Sequence, residues 1–330
     1  MTKKHATPAF DIISIGDTSL DAFLMIDRAS LLCSLDKTTC WFCLNYAEKI
    51  PVQELHFSLG GNACNNAVGS ARLGLKTALY TVLGDDDSGR RIMDRIKEEG
   101  VAHDYLQVEK NNPTNYSTVL SYKTERTILV YHDLRPYKLP ALQVAKWIYF
   151  TSMGKGFEKV FKALVKYLNS NGTKLAFNPG THQLLAGKKV LEPILRITNV
   201  LILNKEEAIS LVGAHPMTPI QEIMRDLRSL GPELVVVTDG NKGAFGFDGR
   251  NSYRMPPVPA KVVERTGAGD AFSTGLISAL AYNLPLSEAL MWGAANAASV
   301  IEKIGPQAGL LTKEQMMKRC KTCGKKSRKI

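Results

Sequence analysis

The chain reads as an α/β protein, a mostly parallel sheet covered by helices, with a smaller β sheet set apart from it. Three observations predict this. Strand-like and helix-like segments alternate over most of the 330 residues, as crossover connections between parallel strands require. Two stretches, residues 21–57 and 115–132, break that rhythm with β-type runs and no helical period. Apolar residues make up 45% of the chain, enough at this length to bury one large α/β core or two smaller ones.

The elements follow in order. Phe10–Ile15 is a short, mostly apolar run that ends at Gly16, a plausible first strand. Residues 63–73 read as a helix stopped by Gly74. Residues 77–83 form a strand ending at Gly84, and 88–99 a helix with Ile92 and Ile96 on one face, stopped by Gly100. Residues 147–151, 173–177, 200–203 and 234–237 are buried-type strands. Helices fill 157–168 and 219–230, the second with Thr218 as cap and Pro219 at the first helical position. Tyr116–Tyr122 and residues 127–131 read as a hairpin turning at Thr124-Glu125-Arg126. Strands that interrupt an α/β pattern suggest a small separate sheet, a lid over a pocket.

Charge and cysteine usage bound the partners. The net charge is +11, but residues 318–330 carry seven basic side chains and no acidic one, which leaves +4 for the rest. Such a tail can touch nucleic acid through phosphates; a disordered, solvated tail is the preferred reading. No apolar run reaches the roughly 18 residues of a membrane span, and residues 1–8 are polar, so no membrane partner and a cytoplasmic location are expected. Of six cysteines, four form pairs, Cys40-Trp-Phe-Cys43 and Cys320-Lys-Thr-Cys323, with Cys33 and Cys64 besides. Two such pairs could hold zinc. The first lies in a strand-like stretch, where residues three apart point to opposite faces, so reduced thiols are preferred. The six histidines show no His-x-x-x-His pairing.

The chemistry concentrates at Thr266-Gly267-Ala268-Gly269-Asp270-Ala271-Phe272, directly before a helix. Glycines allow close backbone approach, and N–H groups at a helix start favour an anion. Asp270 at the same spot could accept a proton from a hydroxyl attacking a bound phosphate. On spacing alone an ordinary cap and turn is the simpler reading.

This heptapeptide resembles the C-terminal signature of the ribokinase-like (PfkB) carbohydrate kinases. Gly60-Gly61-Asn62-Ala63-Cys64-Asn65-Asn66-Ala67 resembles their N-terminal signature, and Arg72-Leu73-Gly74 and Gly84-Asp85-Asp86 follow in the usual spacing. The likeness spans about residues 10–312. It implies a three-layer α/β/α core at residues 1–20, 58–112 and 133–312, a β lid at 21–57 and 113–132, and a basic tail at 313–330. It implies Asp270 as catalytic base, the backbone of Gly267, Ala268 and Gly269 as anion hole, and Asp21, Gly61 and Asn65 as acceptor contacts. Asn204-Lys205-Glu206-Glu207 resembles the family's Asn-x-x-Glu motif, with Glu207 ordering Mg²⁺ through water. Thr238, Gly240 and Gly243 resemble its nucleotide cradle, and Asn296 lies on the helix that flanks adenine in relatives.

The implied activity is transfer of the ATP γ-phosphoryl group to a sugar hydroxyl. A nucleoside kinase of the same family is the alternative, and a non-catalytic binding protein on this scaffold the alternative of another class. Sugar phosphates would need cations beside the acceptor; Arg90, Arg91, Lys123 and Arg126 are available but read first as surface residues. An exposed lid suggests a homodimer through the lids. Where relatives have Asp-Thr-Thr, with the aspartate helping to bind a monovalent cation, this chain has Glu264-Arg265-Thr266, which argues against potassium activation.

Overall fold

Alternating apolar side chains set the layers. In Phe10–Ile15, Ile13 and Ile15 enter one buried cluster with Phe150, Phe161 and Leu201, while Ile12 enters another with Tyr149, Val236 and Leu276. A strand that is apolar on both faces must be covered on both. Helices Glu158–Asn171 and Ile220–Ser229 cover the first face, and Ala268–Ala281 and Leu286–Val300 the second. The computed structural model describes residues 7–34, 39–122 and 125–330. Residues 1–6, most of the polar N-terminal segment, lie outside the described residues, as do Thr124 of the expected hairpin turn and Lys123, one of the candidate cations for a sugar-phosphate acceptor.

The sheet has nine strands. From Thr77–Tyr80 it runs through Phe10–Ile15, Ala145–Phe150, Lys174–Phe177 and Val200–Asn204 to Leu234–Thr238, all parallel. Ala244–Phe247, Ser252–Met255 and Arg328–Lys329 continue it antiparallel. This is the expected three-layer core. One expected strand is two: residues 77–83 break at Thr81, and Val82–Gly84 leaves the main sheet to pair with Gln107–Glu109. Thr218 does not cap Ile220–Ser229; Pro219 takes the cap position in extended geometry and offers no side-chain bond.

Ser19–Met25, Glu54–Gly60, Tyr116–Tyr122 and Glu125–Tyr131 form the separate lid sheet. Strand register puts Asp21, Ser58, Ser117 and Val130 on one face. Beyond it, Ser30–Cys33 and Cys40–Cys43 make a small hairpin in which Cys33 and Cys40 are joined as a disulfide. This corrects the reduced-thiol expectation for Cys33 and Cys40, while Cys43, Cys64, Cys320 and Cys323 are free thiols. Cys40 is not available as a thiolate, Cys43 stays with the hairpin, and Cys320 and Cys323 pack against the second core cluster. No cluster of three potential metal-ligating side chains occurs among the described residues.

The basic C-terminal segment is ordered rather than a disordered tail, although residues 318–330 stay exposed or half-buried. Thr312 caps helix Lys313–Thr322 reciprocally with Gln315, Met316 is fully buried, and Arg319 makes a two-pronged pair with Glu302 at 2.9 and 3.0 Å. Arg328–Lys329 then adds an edge strand to the sheet. The count of basic residues hid one apolar anchor and one ion pair. No helix among the described residues is long and apolar enough to cross a membrane. Met316→Ala is expected to cost about 2–4 kcal/mol in urea denaturation, as for a buried large-to-small change. Lys325→Ala, on the exposed end of the same segment, is expected to stay within about 0.5 kcal/mol. Equal, small effects would mean that the segment does not pack.

Candidate active site

The helix Ala268–Ala281 starts where the backbone can be approached. Gly267 has φ 80°, and a Cβ there would strike Pro306. Among the described residues the N–H groups of Gly267, Gly269 and Asp270 have no carbonyl partner, and that of Ala268 has only the Arg265 carbonyl at 3.3 Å. A helix start with open amides is an anion seat. Asp270 sits in its first turn.

The N-terminal glycine signature folds against it. Helix Asn62–Arg72 begins after Gly61, whose φ of 89° and contact with the Asp17 carbonyl leave no room for a side chain. Its first turns point Asn65 at Asp270. Asn65 Nδ2 donates to Asp270 Oδ2 at 2.8 Å across 205 residues of sequence. Burial pushes the Asp270 carboxyl up to about 6; the Asn65 bond opposes this, and the charges of Asp21 and Glu207 add to it.

Three cavities meet around Asp270. The middle one, of about 300 Å³, holds Asp270, Glu207, Asn178 and Ser273. It shares Thr238 and Gly269 with a cavity of about 420 Å³ walled by Val258, Phe272 and Ile301, with Gly240 and Gly243 at its rim. It shares Asn62 and Ser152 with a cavity of about 120 Å³ lined by Asp17, Thr18, Asn115 and His132. The result is a trench: an apolar slot, an anion seat with two carboxylates, and a small polar pocket under the lid.

Asn204 and Glu207 form a reciprocal cap of helix Lys205–Val212. Glu207 N–H donates to Asn204 Oδ1 at 2.8 Å, and Asn204 N–H to Glu207 Oε2 at 2.9 Å. Among the described residues Glu207 Oε1 has no hydrogen bond, and the residue lines the middle cavity. Burial raises its carboxyl, the Asn204 bond lowers it, and Glu206 raises it further. One free, cavity-facing carboxylate oxygen fits a magnesium ion that keeps most of its water.

Some expected residues are placed otherwise. Gly61 lines the polar pocket, but Asp21 and Asn65 line none of the three cavities. Asp21 lies in the lid strand opposite Ser58, its carboxylate filling the space that a Cβ on Gly60 would take, and accepts from Ser19 Oγ at 2.7 Å. Burial raises its carboxyl against the bonds from Ser19 and Ser117. Asn296 does not face the apolar slot. Its amide donates to Ala271 O at 2.8 Å and accepts from Leu311 N at 3.1 Å, while Ala294, Ala297 and Ala298 of the same helix line the slot. A buried amide needs its own partners, and these turn it inward.

Sequence reasoning missed Asp17 and Gln307. Asp17 accepts from Tyr137 Oη at 2.8 and 2.9 Å and from Gly154 N–H at 2.7 Å. His132 Nε2 stands 2.7 Å from it, outside hydrogen-bond alignment. The only signal was an acid directly after Gly16. Gln307 lies in a loop without a motif. At Glu264, Oε1 accepts from Thr266 N–H at 2.8 Å and Thr266 Oγ at 2.6 Å, and Oε2 is buried without a partner. Arg126 of the lid reaches within 3.9 Å of Oε1.

Comparison with known proteins agrees with this architecture. The fold is that of the ribokinase-type kinases: a solved nucleoside kinase from Methanocaldococcus jannaschii superposes with a TM-score of 0.74 at 23% identity, over 94% of this chain and 97% of that one. Ribokinase from Bacillus subtilis is 25% identical over 78% of this chain and 86% of its own length. A bifunctional ribokinase/ribose-5-phosphate isomerase A from Fructilactobacillus sanfranciscensis is 25% identical over 93% of this chain, which spans 55% of that protein. The model of the pfkB family carbohydrate kinases matches residues 26–313. The chain belongs to the PfkB family of carbohydrate kinases, and so to the ATP-dependent kinases of that family.

The raised Asp270 carboxyl has a consequence for stability. The folded value of about 6 exceeds the ordinary 3.8, so the protonated form is favoured by folding. That stability is fully present below about pH 4 and is lost as pH rises through about 6. Asp270 is partly open to the cavity, which tempers the cost to about 1–3 kcal/mol at pH 7. Asp270→Asn is therefore expected to raise the melting temperature by a few degrees at pH 7.5 and by nothing at pH 4. A variant less stable than the parent at pH 7.5 would contradict the buried charge.

Proposed function

We propose that this protein phosphorylates a hydroxyl of a small sugar, with Asp270 as the general base. The observation that carries the reading is the position of Asp270 between an anion seat and a polar pocket, held there by Asn65 at 2.8 Å. ATP, arriving with Mg²⁺, supplies the γ-phosphoryl group. The apolar slot suits its adenine, and Thr238, Gly240 and Gly243 stand along the way to the phosphates. The open amides of Gly267 and Gly269 face the transferred group, where negative charge grows. Ala268 contributes less, being tied to Arg265. Asp270 takes the proton of the acceptor hydroxyl as its oxygen bonds to the γ-phosphorus and the bond to the ADP oxygen breaks. Glu207 orients the water shell of the metal. The lid excludes bulk water that would otherwise accept the phosphoryl group.

The polar pocket favours a sugar over a nucleoside. It measures about 120 Å³ and is lined mainly by Asp17, Thr18, Ser19, Asn115, Ser117 and His132. Among the described residues Thr18 Oγ1 and Asn115 Nδ2, of two residues that line it, are buried without partners. Each unsatisfied buried group costs about 1–3 kcal/mol, and the several hydroxyls of a sugar ring would relieve both. A nucleoside, which carries a base beside its sugar, needs a larger site with a broad apolar or aromatic wall; here Val130 and Tyr131 supply the apolar side of a pocket of about 120 Å³, and its small size favours a lone sugar ring. The outer face of the lid exposes Leu55, Phe57, Leu129 and Tyr131 in one patch by strand register, which supports pairing of two lids in a homodimer.

ADP release from Mg-ATP is expected with a pentose or hexose and not with nucleosides. Asp270→Asn should lower kcat about 10³-fold or more while ATP binding persists. No turnover with any acceptor, with ATP still bound, would favour the binding-protein reading. The kcat/KM profile should fall about tenfold per pH unit below about 6, because the base must be deprotonated. Glu207→Gln keeps the cap but removes the charge, and should raise the Mg²⁺ needed for half-maximal rate roughly tenfold; an unchanged requirement removes Glu207 from the metal's surroundings.

A further inference from the structure

Asn65 helps Asp270 in only one of its two orientations. A carboxylate is stabilised by the N–H end of an amide and repelled by the carbonyl end. The two ends have nearly the same shape, so packing alone does not choose between them. The choice is made on the far side of the amide. Gln307 Nε2 donates to Asn65 Oδ1 at 2.9 Å, while Asn65 Nδ2 donates to Asp270 at 2.8 Å. Both amides are buried, Asn65 at 2% exposure and Gln307 at 5%.

Gln307 is itself fixed. Its backbone carbonyl accepts from Arg72 Nη1 at 2.7 Å, and Glu99 grips the same guanidinium at 2.5 and 2.8 Å, which holds the residue's place in the loop. Its neighbour Pro306 lies against Gly267, the first residue of the anion seat. Loop, amide pair and anion seat therefore form one connected unit.

We propose that Gln307 is a positioning residue for phosphoryl transfer: it locks the Asn65 amide with its N–H toward Asp270. The inference rests on the reading of Asp270 as base. The groups that act on Asp270 from the elements around it are Asn65 and the Cys64 thiol of helix Asn62–Arg72, Asp21 of the lid strand, Glu207 of helix Lys205–Val212, and the Tyr149 hydroxyl of the central sheet. None of these is a cation. Asn65 is the side chain that offsets the two neighbouring carboxylates. With Gln307 gone, the amide is free to turn and meet Asp270 with its carbonyl. Asp270 then holds its proton more tightly and is a weaker base at neutral pH.

Two variants and two readouts test this. Gln307→Met keeps length and removes the donor. Gln307→Glu keeps every heavy-atom position, and its carboxylate, once ionised, draws Asn65 Nδ2 away from Asp270. The first readout needs no acceptor. The melting-temperature gain from Asp270→Asn is measured against pH in the parent and in each Gln307 variant. In the parent it should grow from about pH 4 and level off near the Asp270 value of about 6. In either Gln307 variant the levelling point should move up by about one unit. The second readout is turnover with the sugar acceptor. Gln307→Met should lower kcat about tenfold at pH 7, move the acid limb up by about one unit, leave KM for ATP within about twofold, and recover part of the loss at pH 9. Gln307→Glu should lose more. If Met does not fold, Glu alone decides. An unmoved levelling point and an unmoved acid limb in whichever variant folds would overturn the proposal and leave Gln307 a space-filler. Full turnover by Asp270→Asn would instead sink the base reading, while the levelling point would still report the hold of Gln307 on Asn65.

Discussion

Everything at this site depends on keeping one carboxylate buried without a cation beside it. Asp270 has a helix start behind it, an amide donor in front, and two carboxylates, Asp21 and Glu207, within reach of its charge. Such a group destabilises the free protein at neutral pH. It persists because the surrounding structure fixes it from several directions: Gly267 against Pro306, Asn65 from the other end of the chain, and Gln307 behind Asn65. A positive side chain here would make the carboxylate comfortable, and it would make it a poor proton acceptor. The open backbone amides meet the same need differently, since they favour the incoming phosphate without neutralising the base.

The alternating layers and the two glycine signatures were legible in the sequence because each rests on a local rule. Ile12, Ile13 and Ile15 announce a strand buried on both faces, and Gly74 and Gly100 stop helices where they were expected to. What escaped reading depends on contacts between distant residues. Nothing near Gln307 signals that it will face Asn65, 242 residues earlier in the chain. Asp17 and Asp21 are both acids after the first strand, and only the fold decides which lines the pocket. The turn of the backbone at Gly61 puts Asp17 there, while the pleat of the lid strand turns Asp21 toward Gly60. Asn296 was assigned to the correct helix but the wrong face, because period alone does not tell which buried polar group will find partners inside.

Composition misled where a few contacts outweigh many charges. The C-terminal residues looked like a solvated basic tail, yet Met316, the Arg319–Glu302 pair and the edge strand at Arg328–Lys329 bind them to the core. The cysteines read as reduced thiols, with two pairs whose spacing could also hold zinc. In the fold one of them faces Cys33 across a hairpin, a pairing that spacing between 40 and 43 does not reveal.

The Asn-x-x-Glu segment shows how a demand of the fold and a demand of the chemistry can be met by the same atoms. Read locally, Asn204 and Glu207 need no ligand to explain them, since a reciprocal cap satisfies two backbone donors at a helix start. Read from the cavity, the cap is also a mount. It holds Glu207 with one oxygen in the backbone and the other free in the space it shares with Asp270. A carboxylate on a freely rotating side chain would have to be ordered each time the nucleotide arrives, and that entropy would come out of binding. Capping the helix orders it in advance. The same logic runs through Asn65 and Gln307, where an interior hydrogen bond that stabilises the fold also decides which end of an amide the base will meet.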